Sequence, residues 1–156
     1  LEKIRKIMEV NYFGTMNSIN SVYNYYKGKK SGQISIVSSV AGYRGLPAAG
    51  AYCASKSALT SFAESLHFEM KRKNVRISLI SPGFIKTPMT DQNDFPMPMI
   101  KSPEFAANEI FKGLTAKKSF EIHFPKVFTY FLKFLQILPS SLYFKFVAKG
   151  MKKIDY

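Results

Sequence analysis

Two short apolar runs, Ile34-Ser35-Ile36-Val37-Ser38 and Val75-Arg76-Ile77-Ser78-Leu79-Ile80, decide the fold of this 156-residue chain. Each run has the length of a buried strand, and residues 51–73 between them are predicted to form a helix. Alternation of strand, helix and strand is typical of a parallel sheet with right-handed crossovers. The sequence therefore predicts an α/β fold.

The rest of the chain extends this alternation. In residues 1–27, apolar side chains recur at steps of three and four, which predicts a helix. Ser102-Pro103-Glu104-Phe105 is typical of a helix start. The further elements expected are a Gly/Pro-rich loop over residues 41–50, an irregular proline-containing stretch over 82–101, a helix over 102–114 and a strand over 119–124.

Tyr52 and Lys56 are the most informative pair of side chains, because residues four apart share one face of a helix. A nearby cation lowers the pKa of a phenol from its usual value near ~10, and such a phenol can protonate a carbonyl oxygen. Ser39 lies thirteen residues before Tyr52, at the carboxyl end of the first predicted strand. Ligand sites in open α/β sheets lie at such strand ends, so these three residues are candidate catalytic groups.

Two further segments complete a pattern. Asn11 lies in Val10-Asn11-Tyr12-Phe13-Gly14, 28 residues before Ser39, and Pro82-Gly83-Phe84-Ile85-Lys86-Thr87 follows the second strand. With these motifs, residues 1–116 resemble the short-chain dehydrogenase/reductase family, whose pattern is a serine followed by Tyr-x-x-x-Lys at the same spacing. The resemblance implies a Rossmann-like, doubly wound parallel sheet.

The resemblance also implies an oxidoreductase that transfers a hydride between nicotinamide and a ketone or alcohol, without a metal. Tyr52 would exchange the proton, Ser39 would orient the carbonyl oxygen, and Lys56 would lower the pKa of Tyr52 and hold the nicotinamide ribose. Asn11 would hold a water that links Lys56 to solvent. The implied cofactor contacts are Tyr52, Lys56, Pro82, Gly83, Ile85 and Thr87.

The Gly-rich cofactor turn of that family is absent, since no Gly-x-x-x-Gly-x-Gly or Gly-x-Gly-x-x-Gly segment occurs. We interpret the chain as the carboxyl-terminal part of a longer enzyme. The alternative is a truncated, non-catalytic piece that serves only in interaction or membrane binding. The residue that distinguishes NAD from NADP is absent with the same segment, and of the two cofactors we favour NADP.

Residues 1–124 would form the catalytic part. Residues 125–156 differ from them in composition, because lysines interrupt their aromatic and aliphatic side chains. The apolar runs 127–138 and 142–147 are each too short for the ~20 apolar residues that a membrane span needs. We predict an amphipathic, aromatic and basic helical tail. Either it lies in a membrane interface, which favours an apolar or lipid-like substrate, or it packs on the body or a second subunit.

The formal net charge of +13 raises the question of a polyanionic partner. No zinc-finger spacing, aromatic RNA-binding motif or arginine cluster accompanies the charge, so we expect no nucleic acid. We expect a small carbonyl or alcohol substrate, a homodimer through helices 1–27 and 51–73, and a cytoplasmic location with peripheral membrane contact as the alternative. Structural roles are expected for Cys53, His67 and His123.

Overall fold

The computed structural model describes residues 1–29, 31–116 and 119–151, and within them it contains a parallel sheet of three strands in the order β1-β2-β3. The strands are β1 (Gly32–Val37), β2 (Val75–Pro82) and β3 (Glu121–Phe124). Ile34 lies opposite Ile77 across the first pair, and Ile80 lies opposite Ile122 across the second. In this sheet the outer side of β1 is an edge. The predicted parallel α/β sheet is confirmed.

Helices α1 (Glu2–Met8) and α2 (Gly14–Lys27) are separated by a π-helical turn, Glu9–Phe13. The single helix predicted over residues 1–27 therefore contains a wider turn near its middle. Helices α3 (Gly50–Lys71) and α4 (Pro103–Ala116) follow β1 and β2. Proline is favoured at the first position of a helix because its missing N–H has no intrahelical acceptor there.

Strand β2 is buried along most of its length because helices cover both faces of the sheet. Side chains alternate between the faces, so Ile77 and Leu79 pack against α2 and α3, while Ile80 packs with α4. Burial of each large aliphatic side chain contributes about 1.5–3 kcal/mol. The predicted doubly wound arrangement is confirmed.

Several boundaries differ from the sequence prediction by a few residues, including two next to α3. The loop predicted over residues 41–50 includes part of a one-turn 3-10 helix, Val40–Gly42. Helix α3 ends at Lys71, two residues before the predicted end, and Asn74 then reverses the chain with φ of 55°. Asparagine adopts this left-handed conformation more readily than most residues, which suits it to the turn before β2.

The tail, residues 125–156, forms helices α5 (Lys126–Ile137) and α6 (Ser140–Met151), and its residues 152–156 lie outside the described part. Thr129 and Leu135 of α5 and Tyr143 of α6 are buried. One side of the tail therefore packs on the body, which is one of the two alternatives that its sequence left open. No helix in the described ranges is long and apolar enough to cross a bilayer.

Candidate active site

Ser39 lies at the carboxyl ends of β1 and β2. It precedes the turn Val40–Gly42, and the N–H of Ala41 donates to its Oγ at 3.2 Å. The Ser39 hydroxyl also lies 3.5 Å from the carbonyl oxygen of Pro82, the last residue of β2. The predicted catalytic serine is thus held at the edge of the sheet where ligands bind in such folds.

Tyr52 and Lys56 lie near the start of α3 and face the same strand ends. The Nζ of Lys56 is 5.7 Å from the centre of the Tyr52 ring and donates a 3.2 Å hydrogen bond to the carbonyl oxygen of Val37. The Tyr52 phenol interacts with the Ser39 hydroxyl. The structure therefore brings together the three side chains that the sequence spacing singled out.

The pKa of the Tyr52 phenol is raised above its usual value, contrary to the expectation that Lys56 lowers it. Burial is the main cause, because removal from water disfavours the phenolate. The Ser39 hydroxyl lowers this pKa, and the nearby Cys53 raises it. The Lys56 ammonium lies over the ring and bonds to Val37, and burial keeps the Tyr52 phenol protonated at neutral pH.

The Lys56 ammonium has more N–H donors than it uses within the described residues. Burial lowers its pKa, because desolvation disfavours the cation. Val37 supplies the one acceptor found for this ammonium among the described residues. An ammonium carries three N–H donors, so the remaining donors suit a pair of ligand hydroxyls. Lys56 therefore fits the nicotinamide ribose that the family resemblance implies.

Asn11 lies in the π-helical turn and contacts α3 through Ser55. Its Nδ2 donates to Ser55 Oγ at 3.0 Å, and Ser55 Oγ donates to the carbonyl oxygen of Tyr52 at 2.8 Å. π-helical turns inside helices occur frequently at functional sites. Ser55 is fully buried, and the sequence analysis did not identify it. Asn11 thus lies behind the backbone that carries Tyr52, and its water-binding role stays a prediction.

The turn after Ser39 packs closely against α3. Ser38 donates to the carbonyl oxygen of Lys56 at 2.9 Å, and Ser57 donates to the carbonyl oxygen of Gly42 at 2.9 Å. A Cβ added at Gly42 would lie 2.9 Å from the Lys56 carbonyl oxygen, so only glycine allows this approach. The contacts hold the segments that carry Ser39 and Lys56 together. Ser57 and Gly42 were missed from the sequence because their partners are distant along the chain.

The segment from Pro82 to Ile85 is fixed by the backbone. The N–H of Gly83 donates to the carbonyl oxygen of Phe124 at 2.7 Å, and a Cβ on Gly83 would meet the Phe128 ring at 3.0 Å. A parallel bridge pairs Ile85 with Lys101 through the neighbouring groups of Phe84 and Lys86. The N–H of Ile85 itself is outside that bridge, which leaves it available to a ligand.

The Thr87 hydroxyl is engaged with Thr90. It accepts from the N–H of Thr90 at 3.3 Å, and the two hydroxyl oxygens are 3.2 Å apart. Thr90 Oγ1 also accepts from the N–H of Thr87 and donates to the carbonyl oxygen of Ile85, both at 2.8 Å. Thr90 therefore shapes the segment that was predicted to hold the cofactor, and the sequence analysis overlooked it.

An aromatic row connects the irregular stretch to the tail. The Phe84 ring centre is 6.1 Å from that of Phe95 and 5.8 Å from that of Phe128 on α5. Met89 and Met99 in the same stretch are 70% and 43% exposed. The stretch beyond the strand ends therefore exposes large apolar side chains, beside the exposed Asp91 and Asp94.

His123 has a structural position inside the protein. Its Nδ1 lies 2.6 Å from Thr129 Oγ1, and burial, followed by the charges of Lys133 and Lys126, lowers its pKa to about 4. In the described part of the chain, no three His, Cys, Asp or Glu side chains cluster as metal ligands.

Comparisons with known proteins agree with this geometry. A family model described as short chain dehydrogenase matches residues 1–96. An uncharacterized oxidoreductase of Myxococcus xanthus is 34% identical over 91% of this chain and 56% of its own length. A 3-ketodihydrosphingosine reductase of Bacteroides thetaiotaomicron is 32% identical over 60% of this chain and 35% of its own. The chain spans about half the length of the curated relatives that it matches over most of its length.

Solved structures show the same fold. A short chain dehydrogenase from Burkholderia cenocepacia in complex with NADP has a TM-score of 0.69 and 26% identity, covering 98% of this chain and 56% of that one. A short chain dehydrogenase/reductase from Burkholderia phymatum in complex with NAD has a TM-score of 0.70 and 21% identity, covering 81% and 54%. The segment described here thus has the architecture of more than half of each solved chain.

Proposed function

This chain belongs to the short-chain dehydrogenase family, and on that premise we propose that it is the catalytic, carboxyl-terminal part of a longer NAD- or NADP-dependent oxidoreductase. The reaction is hydride transfer between nicotinamide and the carbon of a ketone or alcohol. The observation that carries the proposal is the meeting of the Ser39 hydroxyl, the Tyr52 phenol and the Lys56 ammonium at the end of β1.

Tyr52 exchanges the proton in this reaction. Because burial raises the pKa of its phenol, Tyr52 is protonated at neutral pH and donates to the carbonyl oxygen as hydride reaches the carbon. Ser39, held by the Ala41 N–H, donates to the same oxygen and orients it. Its hydroxyl also lowers the pKa of Tyr52, so it stabilises the phenolate that remains after proton transfer.

The nicotinamide cofactor supplies the hydride when it is bound. The free donors of Lys56 hold its ribose hydroxyls, and the Ile85 N–H with the Thr87 hydroxyl holds its carboxamide, next to Pro82 and Gly83. Asn11 holds the water that connects Lys56 to solvent. Of the two cofactors we propose NADP; similar solved chains are in complex with NADP and with NAD.

The substrate proposed is an apolar, lipid-like ketone or its alcohol. Phe84 and Phe95 pack together beside the strand ends, and Met89 and Met99 extend the same apolar surface. A relative named 3-ketodihydrosphingosine reductase supports a keto lipid as the substrate class.

The face of α5 that packs on the body carries the polar Thr129 and Lys133 as well as Leu135, and large apolar side chains lie on the opposite face. Thr129 is fully buried, and Lys133 forms an ion pair with Glu121 of β3. The outer face of α5 consists of side chains that are 52% to 78% exposed, namely Val127, Tyr130, Phe131, Phe134 and Ile137. A contiguous exposed apolar face of this kind marks an interaction site.

The occupant that we propose for the outer face of α5 is an anionic membrane interface. Phe144 and Phe146 of α6 are 65% and 55% exposed and add to the apolar surface. Lys126 is the exposed first residue of α5, and Lys145 and Lys149 lie exposed on α6. Aromatic side chains next to lysines suit the boundary between acyl chains and anionic headgroups, where each lysine contributes ~1 kcal/mol.

A second copy of the chain is proposed to bind through α2 and α3. A cleft of about 360 Å³ between these helices is lined by Met16, Ile19, Tyr23 and Phe62. Ile19 is already buried, and a homodimer would remove the partly exposed Met16, Tyr23 and Phe62 from water.

The direct test supplies the complete enzyme with NADP or NAD and a panel of apolar alcohols, and follows the absorbance of the reduced cofactor. We expect turnover, with NADP used more efficiently than NAD. The alternative, a non-catalytic piece, predicts no turnover with any alcohol or ketone and no saturable cofactor binding by the complete protein.

A further inference from the structure

A polar network joins the tail to the turn that carries Ser39. The Tyr43 phenol donates a 2.6 Å hydrogen bond to Glu121 Oε1, and the Lys133 ammonium contacts the other carboxylate oxygen, Oε2. The Nζ of Lys133 also lies 5.4 Å from the centre of the Tyr43 ring. None of these three residues takes part in the chemistry proposed above.

The network has one protonation pattern at neutral pH. Burial alone would raise the pKa of the Glu121 carboxyl, but the hydrogen bonds from Lys133 and Tyr43 and the charge of Lys133 bring it below its usual value. Burial, with the hydrogen bond and charge of Glu121, raises the pKa of Tyr43. A carboxylate therefore accepts from a neutral phenol and an ammonium, and such charge-assisted hydrogen bonds are stronger than neutral ones.

Tyr43 and Ser39 cap opposite ends of one short turn. The N–H of Tyr43 donates to the carbonyl oxygen of Val40 at 3.1 Å, and the N–H of Gly42 donates to that of Ser39 at 2.9 Å. Residues Val40–Gly42 between the caps are all buried. The hydrogen bonds of this buried turn therefore connect the backbone of Tyr43 to that of Ser39.

The residue after Tyr43 strengthens the connection to the tail. Arg44 donates to the carbonyl oxygens of Leu135 at 2.9 Å and Leu138 at 2.7 Å. Its guanidinium carbon lies 4.0 Å from the centre of the Tyr143 ring on α6. A cation at the carboxyl end of a helix is favourable, so Arg44 holds the end of α5 beside the same turn.

We propose that Tyr43, held by Glu121 and Lys133, is a positioning residue that fixes the Ser39 hydroxyl relative to Tyr52. Helix α5 thereby contributes to the active site without contacting the substrate. The inference rests on the proposed function only in that Ser39 and Tyr52 act in proton transfer.

The test is Tyr43→Phe in the complete enzyme, which removes one hydroxyl and keeps the ring. We expect kcat to fall about tenfold and KM for NADP to stay unchanged. The Tyr52 phenol, followed by NMR of tyrosine labelled with ¹³C at Cζ and assigned with Tyr52→Phe, should titrate at higher pH, because Ser39 no longer stabilises its anion. The other groups that act on Tyr52, Cys53 and Lys56, both lie on α3 and are unchanged in the variant.

The matched control is Tyr143→Phe. The Tyr143 hydroxyl donates to the carbonyl oxygen of Gly45 at 2.6 Å, so it also ties the tail to this loop, beyond the turn that carries Ser39. Its loss should leave kcat and the Tyr52 titration unchanged. If Tyr43→Phe does not fold, Glu121→Gln replaces it, since this change keeps the side-chain shape, removes the charge that holds Lys133, and should give a smaller loss in the same direction.

A lower melting temperature with wild-type kcat and wild-type Tyr52 titration would show that Tyr43 is only structural, and would overturn the proposal. Equal effects of Tyr43→Phe and Tyr143→Phe would also overturn it, because general loosening of the tail would then suffice. If the wild-type protein transfers no hydride, the proposed function fails, and the NMR titration still decides whether Tyr43 positions Ser39.

Discussion

The side-chain amide of Asn11 donates to the hydroxyl of Ser55 across 3.0 Å, although 44 residues separate the two positions. The same hydroxyl donates to the carbonyl oxygen of Tyr52. The π-helical turn is thereby fastened to the first turn of α3, behind the candidate proton donor.

Ser55→Ala should destabilise the protein because it leaves the Asn11 amide without this acceptor. The free energy of unfolding should fall by about 1–3 kcal/mol, measured by denaturant unfolding, while kcat changes by a factor of a few. Asn11→Ala should lower kcat more than Ser55→Ala does if Asn11 also holds the proposed water. Ser18→Ala, which removes an exposed hydroxyl that bonds to Gly14, is the control and should change stability by less than about 0.5 kcal/mol.

Tyr52→Phe should lower kcat of the complete enzyme by ~10² or more, the usual contribution of a general acid. The melting temperature should change little, because the ring and its packing remain. Tyr25→Phe, at an exposed tyrosine of α2, serves as the control and should keep full activity. A Tyr52→Phe enzyme with half the wild-type rate would remove Tyr52 from the mechanism.

Gly42→Ala should impair both stability and activity. The new Cβ would lie 2.9 Å from the Lys56 carbonyl oxygen and 3.1 Å from Ser38 Oγ, so the turn and α3 must separate. We expect a loss of about 1–3 kcal/mol in unfolding free energy and a lower kcat. Gly45→Ala is the matched control, because no atom lies within 4 Å of its added Cβ. Equal behaviour of the two variants would argue against close packing at Gly42.

Stability should fall as the pH drops from about 7 to about 5 because of His123. Its pKa is about 4 in the folded protein, below the usual histidine value of 6.5, so the unfolded chain takes up the proton first. The expected loss is about 2 kcal/mol over this range, and it continues until the pH falls below the folded pKa. His123→Asn, which cannot titrate, should flatten the pH dependence of the unfolding midpoint. An equally steep dependence in that variant would assign the proton to another group.

Phe131→Ser with Phe134→Ser should abolish binding to vesicles that contain anionic lipid. These side chains are 53% and 52% exposed, so the change removes apolar surface without opening the core. Wild-type binding should rise with the anionic fraction and fall only partly at high salt, since the lysines are screened and the aromatics are not. Phe111→Ser, at a 69% exposed position of α4, controls for general loss of apolar surface.

If the wild-type protein stays in the aqueous phase with anionic vesicles at low salt, the outer face of α5 belongs to another interface. Concentration-dependent dimerisation that the Phe131→Ser, Phe134→Ser variant loses would then identify a second copy as its occupant.

The sequence predicted the features that depend on local spacing. Ser39 was predicted at a strand end because an apolar run ends there in hydroxyl side chains. Tyr52 and Lys56 were predicted on one helix face because they are four residues apart. The structure has both features. The predicted direction of the Tyr52 pKa shift was wrong. The actual shift depends on the burial of the phenol and on which groups the Lys56 ammonium contacts. Neither can be obtained from spacing along the chain.

Contacts across long separations were not predictable in the same way. Tyr43 and Glu121 are 78 positions apart, and Arg44 and Leu135 are 91 apart. The available signal was chemical: Glu121 lies in a largely apolar strand and Lys133 in a largely apolar helix, so each charge required a partner. An amphipathic pattern also does not state which side faces the body, and on α5 the polar Thr129 and Lys133 face inward.

The open edge of β1 can pair with other extended segments, in assembly or in aggregation. Its outward N–H and C=O groups can form a ladder of hydrogen bonds with an extended segment. The half-exposed Val37 adds an apolar contact at the end of the strand. The polar side chains of Gln33 and Ser35 on the same strand weaken such adventitious pairing. An extended segment that pairs with β1 would satisfy these backbone groups and cover Val37, whether it comes from the same polypeptide or from another copy.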